Sequence, residues 1–198
     1  MKILCYGDSN TYGYDPQGGG SRYPSESRWV NLLDMELRSC CVMNAGQNGR
    51  EIPTNGWESA RGVAMQMEAA TEPGDFLIIM LGSNDLLLGG MSAENACQRM
   101  KTFLTAVMER NSGRKILLVG PVKMKPGFWV TEEGLVEESE QLIREYEKMV
   151  SELEGVDFAD SNLWGVELTG DGVHFTKEGH KAFAEGLTKH LKLCYSIG

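Results

Sequence analysis

Five short apolar runs punctuate the chain: KILCY at residues 2–6, CCVMN at 40–44, DFLIIML at 75–81, KILLVG at 115–120 and VDFAD at 156–160. Each is nearly continuous rather than alternating, the pattern of strands covered on both faces in a parallel sheet. Between them, apolar positions recur at helical spacing. Trp29, Leu32, Leu33 and Leu37 form one such face, and Cys97, Met100, Phe103, Leu104, Val107 and Met108 a second. A third carries Leu135, Leu142, Ile143, Tyr146, Met149, Val150 and Leu153, with Glu137, Glu138, Glu145 and Lys148 on its opposite side. Strands alternating with helices predict an α/β fold, a three-layer α/β/α sandwich on a five-stranded parallel sheet with right-handed crossovers. No repeat or linker breaks the pattern, so residues 1–198 read as a single domain.

Composition narrows the classes of partner. A chain of 198 residues can bury roughly 70% of its unfolded surface in one core. With 19 basic and 28 acidic residues the net charge is −9, which argues against nucleic acid, a partner that needs concentrated Lys and Arg. No apolar stretch approaches the roughly 20 residues that cross a bilayer, and a first strand starting at residue 2 leaves no room for a signal peptide. The expected location is cytoplasmic, with no membrane partner. The five cysteines are odd in number, lack a CxxC spacing and fall mostly in apolar runs. They read as reduced, buried thiols, with neither zinc nor a disulfide framework indicated. Gly18, Gly19 and Gly20 follow no strand and no GxxxxGK[ST] is present, so they read as a flexible segment rather than a phosphate cradle.

In a sheet of this kind ligands bind beyond the carboxyl ends of the strands. The first strand ends in Gly7-Asp8-Ser9-Asn10, the second in NAGQNG at 44–49, the third in GSND at 82–85, and GDGVHF at 170–175 follows the last. A serine hydroxyl becomes a useful nucleophile when a neutral imidazole takes its proton and a carboxylate holds that imidazole's tautomer. Asp171 and His174 stand three residues apart, so one turn of chain could set the carboxylate on Nδ1 and leave Nε2 facing Ser9. The tetrahedral intermediate also needs donors for its oxyanion. Candidates are the backbone N–H of Ser9, the N–H of Gly46 and the side-chain amide of Asn84.

These four blocks, GDSN, NAG, GSND and DGVH, resemble those of the SGNH hydrolases, also called GDSL-type esterases, in order and over nearly the whole chain. The resemblance implies a flavodoxin-like sheet and serine ester hydrolysis, with Ser9, Gly46, Asn84 and His174 in the namesake roles. Asn10 stands where the better-known motif has Leu, a departure expected to affect packing more than chemistry. The stretch TYGYDPQGGGSRYPSESRW is similar, more loosely, to the small arylesterase and acyltransferase branch.

Each residue also has a plainer reading. Ser9 suits a helix N-cap, and Asn84 and Asp85 suit a turn; Asp8 and Asp85 are expected to be structural. His180 shares a helical face with Phe183, Ala184, Leu187 and Leu191 and reads as core, and His190 as surface. The loop aromatics Tyr12, Tyr14, Tyr23, Trp129 and Trp164 could wall a pocket or cap the core; Tyr12, Trp129 and Trp164 are taken as the substrate-binding candidates. The expectation is a serine esterase for small, short-acyl esters of alcohols, phenols or sugars, needing no cofactor or metal. The alternatives are a thioesterase or lysophospholipase of the same fold, or a non-catalytic flavodoxin-like binding module. The oligomeric state stays open, a homo-oligomer included.

Overall fold

The structure, a computed structural model, describes residues 1–54 and 59–197. Its main sheet has five parallel strands: β1 (Lys2–Gly7), β4 (Cys41–Gly46), β5 (Phe76–Met80), β6 (Lys115–Gly120) and β7 (Val156–Asp160). They lie in the order β4-β1-β5-β6-β7. The chain therefore steps from β1 to one side and returns past it on the other, and the strand order reverses beside β1, where such sheets open a crevice. A small antiparallel hairpin, β2 (Tyr14–Asp15) with β3 (Ser21–Arg22), stands apart from the sheet. The fold is the flavodoxin-like three-layer sandwich anticipated from the pattern.

Strand residues alternate between two cores. Ile3 and Cys5 of β1 face one side with Phe76, Ile78, Leu117 and Val119, and pack against α2 (Trp29–Glu36) and α7 (Lys177–Tyr195). Leu4 and Tyr6 face the other with Leu77, Ile79, Ile116 and Leu118, beneath α3 (Ala60–Ala70), α5 (Ala93–Arg110) and α6 (Glu133–Ser151). Because both faces are covered, the period-2 alternation of side chains never shows as apolar and polar in the sequence.

Three expectations are corrected. Gly18–Gly20 form the turn of the β2–β3 hairpin, with Gly19 and Gly20 at positive φ (67° and 84°), a conformation glycine enters at low cost. Only Cys5 and Cys97 are buried; Cys40 is half-buried and Cys41 and Cys194 are exposed, and all five are free. The second strand runs two residues further than its apolar run, to Gly46. As an edge strand it is only partly covered. Among the described residues, no helix is long and apolar enough to cross a membrane.

Candidate active site

At the end of β1, Gly7 lets the chain pass straight into a helical turn, α1 (Ser9–Tyr12). A Cβ there would lie 2.1 Å from Thr11 Oγ1 and 2.8 Å from the Met80 carbonyl. The N-cap of this turn is Asp8, not Ser9: its Oδ1 accepts the Asn10 N–H at 2.9 Å. Gly13 closes the turn at φ 91°, donating to the Ser9 carbonyl. Ser9 thus stands at the first helical position, where the backbone N–H has no intrahelical acceptor. Asp8 is buried, and burial pushes its carboxyl up to about 6 against the pull of the Asn10 N–H and of the nearby His174 and Arg50 side chains.

The loop between β7 and α7 supplies the imidazole. Asp171 Oδ1 accepts the backbone N–H groups of Val173 and His174, both at 2.9 Å. Its Oδ2 lies 2.7 Å from His174 Nδ1, and His174 Nε2 lies 2.9 Å from Ser9 Oγ. Burial alone would raise the Asp171 carboxyl, but the bonds from the His174 ring and from the N–H groups of His174 and Val173 outweigh it and hold the group well below the usual carboxylate range. An ionised Asp171 assigns the ring proton to Nδ1, leaving Nε2 to accept from the serine hydroxyl. Just downstream, Thr176 caps α7 through its Oγ1.

The loop after β6 is laced to the same segment. Lys125, Phe128 and Trp129 donate backbone N–H groups to Gly172, Gly170 and Asp171. Trp129 meets the His174 ring edge-on at 4.9 Å, and Tyr14, from the hairpin, at 4.7 Å. These two aromatics, with Pro16, Phe128, Thr169 and Asp171, line a cleft of about 260 Å³. A larger cleft, about 620 Å³, lies between the loops after β6 and β7, with Lys123 and Asn162 in its wall and no member of the Ser-His-Asp constellation.

On the other flank, Gly46 pairs beside Gly7 in the sheet. A Cβ on Gly46 would lie 2.1 Å from the Tyr12 backbone N, so only glycine lets α1 settle here. Its N–H donates to Asn44 Oδ1 at 2.9 Å, and Asn44 Nδ2 donates to the Thr11 carbonyl at 2.8 Å. Asn84, in α4 (Ser83–Leu87), is buried and donates from Nδ2 to the Arg50 carbonyl at 2.9 Å. Arg50 joins both sides: its Nη1 donates to the carbonyls of Gly7 and Ala45, Nη2 reaches Gln47, and the guanidinium lies over the Tyr6 ring. Asp85 is fully buried, accepting from the Ile52 N–H and pairing with Arg99 at 3.0 Å. It is structural, as expected.

A profile of the GDSL-like Lipase/Acylhydrolase family matches residues 5–182. The chain belongs to this family. No curated protein matches it in sequence, but solved structures do. A carbohydrate acetylesterase family member from Sinorhizobium meliloti is 29% identical, with a TM-score of 0.84 and 98% of each chain covered. The aryl esterase of M. smegmatis is 26% identical, with a TM-score of 0.84 and each chain covered in full. Est24, a carbohydrate acetylesterase from the same Sinorhizobium, shares the fold at 22% identity, with a TM-score of 0.85 over 98% of this chain and all of its own. This GDSL hydrolase is accordingly a serine-hydrolase esterase.

Of the residues singled out in the sequence, the structure joins Ser9, His174 and Asp171 directly, sets Gly46 against the Ser9 turn and links Asn84 to it through Arg50. Trp129 reaches His174. Tyr12 instead carries the Arg22 guanidinium over its ring at 4.4 Å, and Trp164 meets Phe183 edge-on and covers Gly186 of α7. His180 is fully buried between Tyr23 and Phe175, accepting the Trp29 N–H, and burial pushes it down to about 3, so it is a neutral core residue. Sequence reasoning missed Asn44 and Arg50, both within or beside the NAGQNG block, and did not choose Tyr14 over its neighbours. Asn10, expected to affect packing more than chemistry, hydrogen-bonds the His174 loop through both ends of its amide. Among the described residues, no group of three or more His, Cys, Asp or Glu side chains could hold a metal ion.

Proposed function

We propose that this GDSL hydrolase cleaves small, short-acyl esters, acetyl esters above all, of alcohols, phenols or sugars through an acyl-enzyme on Ser9. The observation that carries this reading is the unbroken line from Ser9 Oγ through His174 to Asp171, at 2.9 and 2.7 Å. Ser9 Oγ attacks the acyl carbon as its proton passes to His174 Nε2, and Asp171 holds Nδ1–H and stabilises the imidazolium. The tetrahedral intermediate collapses, the alcohol leaving with the proton from Nε2. Water, deprotonated by the same nitrogen, then attacks the acyl carbon and releases the acid and the free serine.

The donors for the oxyanion are the Ser9 N–H, the second proton of Asn84 Nδ2 beside the one given to Arg50, and the Gly46 N–H, shared between Asn44 Oδ1 and the substrate. The aromatic cleft supports the short acyl group. At about 260 Å³ it falls below the roughly 300–1,000 Å³ usual for drug-sized ligands and suits a small group better than a long chain. Tyr14 and Trp129, at 4.7 and 4.9 Å from the His174 ring, are its aromatic walls beside the base. The carbohydrate acetylesterase and aryl esterase similarities point to the same substrates.

Fluorophosphonate should label Ser9 and nothing else, and Ser9→Ala should remove both label and turnover with folding intact. Among p-nitrophenyl esters and acetylated sugars, acetate should be preferred and octanoate poorly cleaved. A label on another serine refutes the nucleophile, and faster turnover of octanoate refutes the short acyl group.

A further inference from the structure

Asp171 shapes the His174 loop from within, by accepting two of its backbone N–H groups and its ring proton. The tie between that loop and the turn carrying the nucleophile comes from Asn10. Its Nδ2 donates to the Val173 carbonyl at 3.1 Å and its Oδ1 accepts the Phe175 N–H at 2.9 Å, so one amide brackets His174 on both sides. A single orientation of the amide satisfies both bonds, because one end must donate and the other accept. Asn10 is itself fixed: its N–H sits on Asp8, and its carbonyl takes the Trp29 indole N–H at 3.0 Å. It is 7% exposed, so water cannot readily replace either partner, and a buried carbonyl or N–H left without one is costly.

We propose that Asn10 is the positioning residue of the proton relay, holding His174 Nε2 at hydrogen-bond distance from Ser9 Oγ across 165 residues of chain. The inference rests on Ser9 and His174 being the reacting pair. Ser9 and Asn10 are neighbours on one short turn, so a shift of the loop relative to Asn10 is a shift of the base relative to the nucleophile. Misplacement by about 1 Å can cost on the order of 10²-fold in rate. Ring and carboxylate move together on their shared loop, so their mutual bond should survive such a shift.

The test uses Asn10→Ala, which removes both bonds, and the near-isosteric Asn10→Asp, which keeps an acceptor for Phe175 but cannot donate to Val173. In folded Asn10→Ala, kcat on p-nitrophenyl acetate and the rate of phosphonylation of Ser9 should fall together, roughly 10²-fold, with KM little changed. The low-field proton resonance of His174 Nδ1–H should persist. Asn10→Asp should also lose rate, and decides the matter if Asn10→Ala does not fold. Rates within threefold of wild type in a folded variant overturn the proposal. So does loss of the Nδ1–H resonance along with activity, or failure of both variants to fold, since either would mean that Asn10 merely builds the loop. Ser9→Ala run alongside separates the two readings: residual turnover there refutes the reacting pair itself, whereas a dead Ser9→Ala beside unaffected Asn10 variants refutes only the role of Asn10.

Discussion

The two flanks of the site are prepared to different degrees. On the His174 flank the bonds that the proposed proton relay would use are in place, from Ser9 through the ring to the Asp171 carboxyl, held well below the usual range. On the Gly46 and Asn84 flank the proposed oxyanion donors already have protein partners: the Gly46 N–H has Asn44 Oδ1, and one Asn84 proton the Arg50 carbonyl. A general base must come within hydrogen-bond reach of the proton it takes, and His174 Nε2 is already there. An oxyanion is stabilised most by donors whose direction is set before it forms. Arg50 supplies that direction, because it grips the Ala45 carbonyl of the very peptide whose N–H is Gly46.

The contrast can be broken most severely at Asp171. Asp171→Asn keeps the shape of the loop but reverses the proton on Nδ1, and kcat should drop on the order of 10⁴-fold, measured as steady-state hydrolysis of p-nitrophenyl acetate. A loss below tenfold would mean that another group holds the tautomer. On the opposite flank, Asn84→Ala should lower kcat roughly 10²- to 10³-fold with KM nearly constant. A change in KM alone would make Asn84 a ground-state contact. A smaller effect separates the two tryptophans: Trp129→Ala should raise KM for aryl acetates several-fold, whereas Trp164→Ala should lower only the melting temperature, by removing the cover from Phe183 and Gly186. Equal KM changes would place Trp164 in the substrate's path.

The smallest expected effect concerns stability, at Asp8. Folded Asp8 keeps its proton up to about 6, against the 3.8 of the free side chain. Between those values the unfolded state binds fewer protons, so this group's contribution to stability is present at low pH and lost as pH rises through about 6. An Asn has no such proton to lose. The melting temperature of Asp8→Asn relative to wild type should therefore climb from about pH 4 to about pH 7 and then level off. A constant offset across that range would show that Asp8 ionises as readily folded as unfolded.

Much of this was legible in the chain. Buried parallel strands announce themselves as unbroken apolar runs, and the polar blocks at their ends carry chemistry that local spacing makes readable, as with Asp171 three residues before His174. What stayed hidden depends on contacts across the sheet. The bonds of Asn10 to Val173 and Phe175 span more than 160 residues, and Asn10 alone, without its partners, looks like a packing substitution for Leu. Arg50 carries one charge in a loop, and nothing in its neighbours indicates the two strand-end carbonyls it serves. Among the aromatics, composition could not tell Tyr14, which a hairpin delivers to His174, from Tyr23, which the same loop sends into the core. The glycines read as a flexible segment are the turn of that hairpin.

The sheet is also a bulkhead. Phe175, next to His174, belongs to the apolar compartment under α2 and α7, while Leu86, two residues after Asn84, belongs to the one under α5 and α6. Ser9 stands on the dividing wall. Val173, on the other side of His174, belongs to that second compartment, so the histidine loop straddles the wall and is braced from both sides. Repacking on either side of the sheet would therefore reach the imidazole, through Phe175 from one compartment and through Val173 from the other.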